Sequence, residues 1–480
     1  MLPRPNVIIV YTDQQRYDTL GIDGNALIRT PNLDAFGRSG VHFRRGYVNS
    51  PICLPSRVSL FTGRYCQTHR SYHNGAFMSG RERDMATIFR EHGYETALIG
   101  KDHCFGTWAE NRLPEFFDYV YAGGHLGVSD APDEVRERLD DAREGTMQVP
   151  MAQNPLDPDE DVTGLLFADA RQYLTRRAER ENPFFLWLSI PDPHPPYMCC
   201  EPYGSMYDDV TLPPPAWREG EMSNKPHRQQ LVVEWNRYDR DYPGEDIDTV
   251  RRLYWGMVSY IDNEFGHLMQ TLEDAGLDDD TIVVFTADHG DYMGDHRMIR
   301  KGPHVYESLV HVPLMVRWGD RFPARSTEAM AGNVDIFPTL CDLCGVEPPE
   351  GIQGVDLTPV LHGETEAVRE ALYFEHGNPG QPVRPGDLSE EQYAELAEDT
   401  GHHLCETISR GRSRGVRWED WKFVYNHGDV DELYDLAEDP DELHNLADRG
   451  EHQDIVREGR HRLLEWEVET EDPIPASPER

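Results

Sequence analysis

The sequence predicts an α/β fold with a large, mostly parallel sheet held between helices, on two observations. Short apolar, β-rich runs recur along the chain, and helical patterns separate them. The runs are apolar throughout rather than alternating, as strands covered on both faces are. The first is 7–11, followed by 96–100, 184–190, 281–286 and 313–318. Ahead of the fourth run, Leu253, Met257, Ile261, Phe265, Leu268 and Leu272 step by three and four, which makes an amphipathic helix of about five turns. Pro55 suits the first position of a helix running to Phe61, where no N–H is needed. Residues 335–344 form an apolar segment ending at Gly345, a helix with a glycine C-cap. Prolines 150, 155 and 158 mark a surface insertion. Past residue 365 the texture changes. Residues 371–376 and 421–426 read as strands around a polar, glycine- and arginine-rich stretch, and the acidic region from Leu433 onward reads as helix-prone. The expected organisation is a catalytic domain, 1–365, and a smaller C-terminal α+β domain, 366–480, that completes its pocket.

The chain has 480 residues, 38% of them hydrophobic, enough for a well-buried core. No apolar run approaches the roughly 20 residues of a membrane span. No charged leader precedes the first strand, so a cytoplasmic location is expected. The eight cysteines (53, 66, 104, 199, 200, 341, 344 and 405) are scattered, as reduced thiols are. Cys341-x-x-Cys344 has no second ligand pair and reads as buried helix positions. With 46 basic against 87 acidic residues the net charge is −41, which excludes nucleic acid and anionic membranes as partners. Lysine occurs only at 101, 225, 301 and 422. An acidic, lysine-poor surface suggests adaptation to molar salt, where the Debye length is about 3 Å. Lysines retained in such a composition are expected to serve where a compact point charge is required.

Ligands of parallel sheets bind beyond the carboxyl ends of the strands. Asp13-Gln14 follows the first run, Lys101-Asp102-His103 the second, His194 the third and Asp288-His289 the fourth. Four strand ends therefore bring metal-type or cationic residues to one edge. Cys53 falls at the N-terminus of the Pro55 helix, where free N–H groups and the dipole favour an anion. Arg57, one turn on, adds a planar donor fork that fits tetrahedral oxyanions.

Cys53-Leu-Pro55-Ser-Arg57, with Thr62-Gly63, resembles the signature that sulfatases present to the enzyme oxidising their cysteine to formylglycine. Asn6-Val-Ile-Ile-Val-Tyr-Thr-Asp13, Thr30-Pro-Asn-Leu-Asp34, Gly100-Lys-Asp-His103, Phe285-Thr-Ala-Asp-His-Gly290 and Val312-Pro-Leu314 extend the resemblance to sulfatases of the alkaline phosphatase superfamily. Leu433-Tyr-Asp-Leu436 with Asp439-Pro440 carries it nearly to the end. The resemblance implies one divalent cation held by Asp13, Gln14, Asp288 and His289 beside a formylglycine made from Cys53. Family members more commonly carry Asp-Asp at the first pair and Asp-Asn at the second. Gln14 and His289 leave two carboxylates and add an imidazole, so manganese rivals the family's usual calcium.

The resemblance further implies that Arg57, Lys101, His103, His194 and Lys301 surround the sulfate group, with Asn74 and His73 in reach. Asp291, Asp295 and His296 read as turn residues. The implied activity is hydrolysis of a sulfate monoester, on a small molecule or a carbohydrate, with a formylglycine-generating maturation enzyme as partner. A phosphonate monoester or phosphodiester hydrolase of the same superfamily is the rival. Such enzymes resemble the chain in Asp13-Gln14, Asp288-His289 and the step to Lys301, whereas Lys101-x-His103 is sulfatase-like. The substrate-specific walls are expected from 108–158 and 202–248.

Overall fold

The computed structural model describes residues 4–471 apart from 107–111, 126, 129–131, 133, 136, 139–150, 236–246, 379, 381–388 and 390–409. Its strands are β1 (Asn6–Thr12), β2 (Val41–Tyr47), β3 (Glu95–Gly100), β4 (Tyr119–Gly124), β5 (Gly127–Val128), β6 (Met151–Gln153), β7 (Phe184–Ile190), β8 (Tyr197–Cys199), β9 (Thr281–Ala287), β10 (Leu314–Trp318), β11 (Arg325–Gly332), β12 (Ala371–His376), β13 (Ser413–Trp418), β14 (Trp421–Asn426) and β15 (Glu432–Asp435). Nine of them form one sheet in the order β11-β2-β10-β9-β1-β7-β3-β4-β5.

The centre of that sheet, β9-β1-β7-β3-β4, is parallel. Its strands are apolar on both sides because both faces are covered. Ile8 and Val10 of β1 face the helices Val162–Arg177 and Ile247–Asp274. Val7, Ile9 and Tyr11 face Cys53–Thr62, Met85–Glu91 and Ile336–Cys344. Each fully buried large side chain adds about 1.5–3 kcal/mol of transfer free energy, so the two layers anchor the strand ends that carry the chemistry. β10 departs from the parallel pattern and runs antiparallel to β9. The chain leaves β9 at the site edge, has only the single turns Asp295–Arg297 and Glu307–Val310 before β10, and so re-enters the sheet from the same end.

β12 to β15 form a second, antiparallel sheet. Val456, Leu463 and Trp466 of the helix Gln453–Thr470 pack on its Val416, Phe423 and Leu433. Two expectations change here. The arginine-rich stretch before 421 contains the buried strand β13, whose polarity is absorbed by ion pairs: Arg414 with Glu375 at 3.2 Å and Arg417 with Glu307 at 2.9 Å. Leu433 to Asp435 lie in β15 rather than in helix, and the acidic helix starts only at Gln453. Cys341 and Cys344 are buried in a helix closed by Gly345 at φ 59°. Cys405, and parts of 108–158 and 202–248, lie outside the described residues. No helix among the described residues is long and apolar enough to cross a membrane.

Candidate active site

Hydrogen bonds past the strand ends fix the residues at the carboxyl edge. Asp13 N donates to Ile190 O (3.0 Å), Asp288 N to Thr12 O (3.1 Å) and Lys101 N to Ser189 O (2.9 Å). Gly100 takes φ 108° just before Lys101, and a Cβ there would lie 1.9 Å from Ser189 O. Only glycine lets β3 approach β7 that closely while turning the lysine toward the site.

One ligand atom from each of Asp13, Cys53, Asp288 and His289 lies within 4.8 Å of the other three, and all four residues are buried. Cys53 opens the helix Cys53–Thr62, which ends on Gly63 at φ 63°. Its Sγ is 3.1 Å from His289 Nε2 and 3.7 Å from Asp13 Oδ1. His289 Nδ1 is 2.7 Å from Gly290 O. A carbonyl only accepts, so Nδ1 carries the proton and Nε2 offers its lone pair to the cluster. Gln14, at φ 71°, donates its N–H to Asp288 Oδ1 at 2.9 Å. Its side-chain amide donates to Asp291 Oδ2, which turns Oε1 back toward the cluster. Burial pushes Asp13 up, but Lys101, His194, Arg57 and Lys301 outweigh it and hold its carboxyl well below the usual range. Burial and Asp13 hold the Asp288 carboxyl above its usual range. Two buried carboxylates, an oriented imidazole and an amide oxygen form a donor set suited to one divalent cation, and a cation would relieve the repulsion between the acids.

Arg57 meets the two carboxylates of the cluster. Its guanidinium is fully buried and donates to Asp288 Oδ2 (2.9 Å), Asp13 Oδ2 (3.1 Å), Ser189 Oγ (2.8 Å) and Lys101 O (3.2 Å). Four of its five N–H donors thus go to the two carboxylates and to the sheet edge, which holds Asp13 and Asp288 in place. Tyr11 and Trp187 lie against its faces, at 5.2 and 5.8 Å from ring centroid to guanidinium carbon.

Lys301 and His103 reach Cys53, and Lys101 and His194 stand beside Asp13. Lys301 Nζ is 2.8 Å from Sγ and 3.1 Å from Gln14 Oε1. Burial and Asp13 raise the Cys53 thiol, but Lys301, Lys101 and His289 hold it well below the ordinary value. Lys101 Nζ bonds Asp13 Oδ2, and reaches His125 Nε2 at 2.7 Å. His103, at φ 61°, has its ring within hydrogen-bonding reach of Cys53 and a buried Nδ1 with no protein partner. Burial and Lys101 lower its pKa. His194 donates Nδ1–H to Pro195 O at 2.7 Å. Burial, then the neighbouring His125 and Lys301, hold it well below the usual histidine range. Asn74 Oδ1 accepts from Leu54 N at 3.2 Å and so caps the helix that begins at Cys53. His73 accepts from Gly75 N at 3.1 Å.

Two residues at the site were not read as site residues in the sequence. His125 stacks on His194 with ring centroids 3.8 Å apart. It follows β4, the short strand Tyr-Val-Tyr-Ala-Gly-Gly, which lies inside the stretch 108–158 expected to form a substrate wall, so its place at a strand end was hidden. Asp291, expected in a turn, is fully buried, takes the Gln14 amide and accepts from Tyr197 OH at 2.6 Å.

Known proteins resemble the chain over nearly its whole length. The family model for sulfatases matches residues 5–346. An arylsulfatase of Clostridium perfringens is 27% identical, over 94% of this chain and 92% of its own length. A choline-sulfatase of Rhizobium meliloti is 28% identical, over 93% and 83%. The crystal structure of a phosphonate monoester hydrolase of Agrobacterium radiobacter superposes with a TM-score of 0.80 at 27% identity, covering 97% of this chain and 96% of that one. A buried cysteine, two carboxylates and a histidine meeting at the carboxyl edge of this sheet, with the family model spanning it, establish that the chain belongs to the sulfatase family of the alkaline phosphatase superfamily.

Proposed function

We propose that the protein hydrolyses a sulfate monoester, using formylglycine made from Cys53 and one divalent cation held by Asp13, Gln14, Asp288 and His289. The observation that carries this reading is the placement of Cys53 Sγ within hydrogen-bonding distance of both His289 Nε2 and Lys301 Nζ, at the start of a helix and beside two carboxylates. The cysteine sulfur stands where the converted residue would hold its oxygens. A divalent cation there supplies Lewis-acid stabilisation of negative charge on those oxygens and on the sulfate. A hydrated formylglycine at residue 53 would supply one hydroxyl as nucleophile toward sulfur and a second for release of the sulfate, which a serine lacks.

The chain's own residues supply the remainder. Lys301, beside Sγ, places positive charge on the attacking oxygen and the sulfate. Lys101 is shared between Asp13 and His125, and places its charge on the His194 side of the site. His103, kept neutral by burial and Lys101 and within reach of residue 53, is the base for the second hydroxyl. His194 has its Nδ1–H tied to Pro195, so its Nε2 is the atom left to move a proton. A bound sulfate ester would raise its affinity for that proton, fitting it to protonate the leaving alcohol. Arg57 keeps both carboxylates aimed at the cation.

A phosphonate monoester hydrolase activity is the second reading, favoured by the 0.80 TM-score to that enzyme and by Gln14 and His289 at the metal. Lys101 and His103 support the sulfatase instead. Rates on nitrophenyl sulfate and on a phenyl phosphonate ester are expected to favour the sulfate at least about tenfold, a difference of about 1.4 kcal/mol in transition-state binding. The reverse order would exchange the two readings. Cys53→Ser is expected to lose turnover, and full turnover by that variant would rule out the formylglycine.

A further inference from the structure

A groove of 780 Å³ lies between the segment 67–81 and the C-terminal strand β13 with the helix Gln453–Thr470. Arg70, Arg81, Arg412 and Arg414 line it against Glu467 and Glu471. Arg414 is neutralised by Glu375 at 3.2 Å and Glu467 at 3.6 Å. Arg70, Arg81 and Arg412 are exposed, and among the described residues none of these three forms an ion pair. The adjoining groove, which Arg81 also borders, is different: its Arg83, Arg90 and Arg112 pair with Glu91, Asp118 and Glu115. In a chain of net charge −41, acids are abundant enough to neutralise exposed guanidinium groups. Three left together in one concavity form a local positive site in a negative field.

The groove is also shaped and placed for a ligand. The Arg412 guanidinium lies over the Tyr72 ring at 4.9 Å, which fixes its plane and leaves its edge donors free for an oxyanion. Tyr72 is two residues from Asn74, which caps the helix beginning at Cys53. His69, another lining residue, bonds Ser59 Oγ of that helix at 2.8 Å, about 9 Å along the axis from Cys53.

We propose that this groove binds an oxyanion, sulfate or carboxylate, carried by the substrate beyond the ester being cleaved. The substrate class is then a polyanionic chain such as a multiply sulfated oligosaccharide. The proposal rests on the sulfate-ester reading only in placing both anions on one molecule. The test is fluorescence anisotropy of a fluorescein-tagged, heparin-derived hexasaccharide with the full chain at about 0.15 M salt. The desulfated sugar serves as a second probe and inorganic sulfate as competitor. The sulfated sugar is expected to bind and the desulfated one not. Arg81→Ala with Arg412→Ala is expected to weaken binding about tenfold or more at an unchanged thermal midpoint, since both side chains are exposed.

Equal binding by wild type and double variant, or none by wild type, overturns the proposal. So does competition by inorganic sulfate as tight as by the sugar, which would make the groove a free-anion site. Binding is read without turnover, so inactivity on nitrophenyl sulfate would sink the catalytic reading and leave this test standing.

Discussion

Asp291 shows what a single residue type could and could not convey. Asp13, Cys53, Lys101, Asp288, His289 and Lys301 were visible in the sequence because each follows a recognisable strand or sits in a motif, and the structure brings them within a few bonds of one another. Asp291 and His125 were not visible as site residues, since their places depend on a buried amide and on a short strand within the stretch expected to be a substrate wall. Arg57 was visible but its partners were not: a guanidinium one turn into a helix fits an anion or two carboxylates equally well. Asp291 anchors one side of Gln14 and leaves the other to a cation, so Asp291→Ala is expected to weaken metal binding about 10–100-fold. Asp291→Asn keeps an acceptor for the Gln14 amide and should retain most of the affinity. Titrating manganese and calcium against the thermal midpoint measures both. Unchanged affinity in the alanine variant would remove Gln14 from the ligand set.

Elements were legible where burial is two-sided and obscure where charge is absorbed. β7 reads Phe-Phe-Leu-Trp-Leu-Ser-Ile with every position buried, and its bounds could be read from sequence alone. β2 carries Arg44 and Arg45 toward Glu328 of β11, so both strands look like loop. β13 hides likewise, because Arg417 reaches inward to Glu307. The same Glu307 accepts from Lys422 of β14 at 3.1 Å, and Lys422 pairs with Glu442 at 2.9 Å. This buried cluster joins the second sheet to the segment just before β10. Burial, then Glu307, push Glu442 up to about 7 from the ordinary 4.5, against the pull of Lys422. The folded protein thus holds that proton where the unfolded chain releases it. The resulting stability is full below 4.5 and lost as pH rises through about 7. Glu442→Gln is expected to remove this slope, roughly 1–3 kcal/mol. Urea unfolding of both proteins at about pH 5.5 and about pH 8 reads it, and parallel pH dependence in the two would refute the assignment.

At the scale of the molecule, the charge pattern carries an argument that no single element does. None of the four lysines is fully exposed. Lys101 and Lys301 flank Cys53, while Lys225 bonds Glu221 at 2.8 Å and Lys422 bonds Glu307, each inside a buried polar cluster. The exposed positive charge is therefore carried by arginine and histidine, against an excess of acids. Fold class was legible at this scale because apolar runs and helices alternate over most of the chain. The smaller sheet was less so, because two of its four strands are charged or short. Spread over 20007 Å², 41 net charges leave about 490 Å² each, a mean spacing of about 22 Å. That spacing exceeds the Debye length of about 10 Å at 0.1 M salt but not the 30 Å at 0.01 M. Relief of self-repulsion should thus be complete by a few tenths molar, and the thermal midpoint should fall on dialysis from about 0.5 M to about 0.01 M salt. A further rise toward multimolar salt would have another origin, exclusion of salt from the protein surface, and is the behaviour expected of a chain adapted to molar salt. Thermal unfolding across the whole range separates the two effects: a midpoint unmoved below 0.5 M would show that ion pairing already neutralises the surface field, and a plateau above it would refute the adaptation.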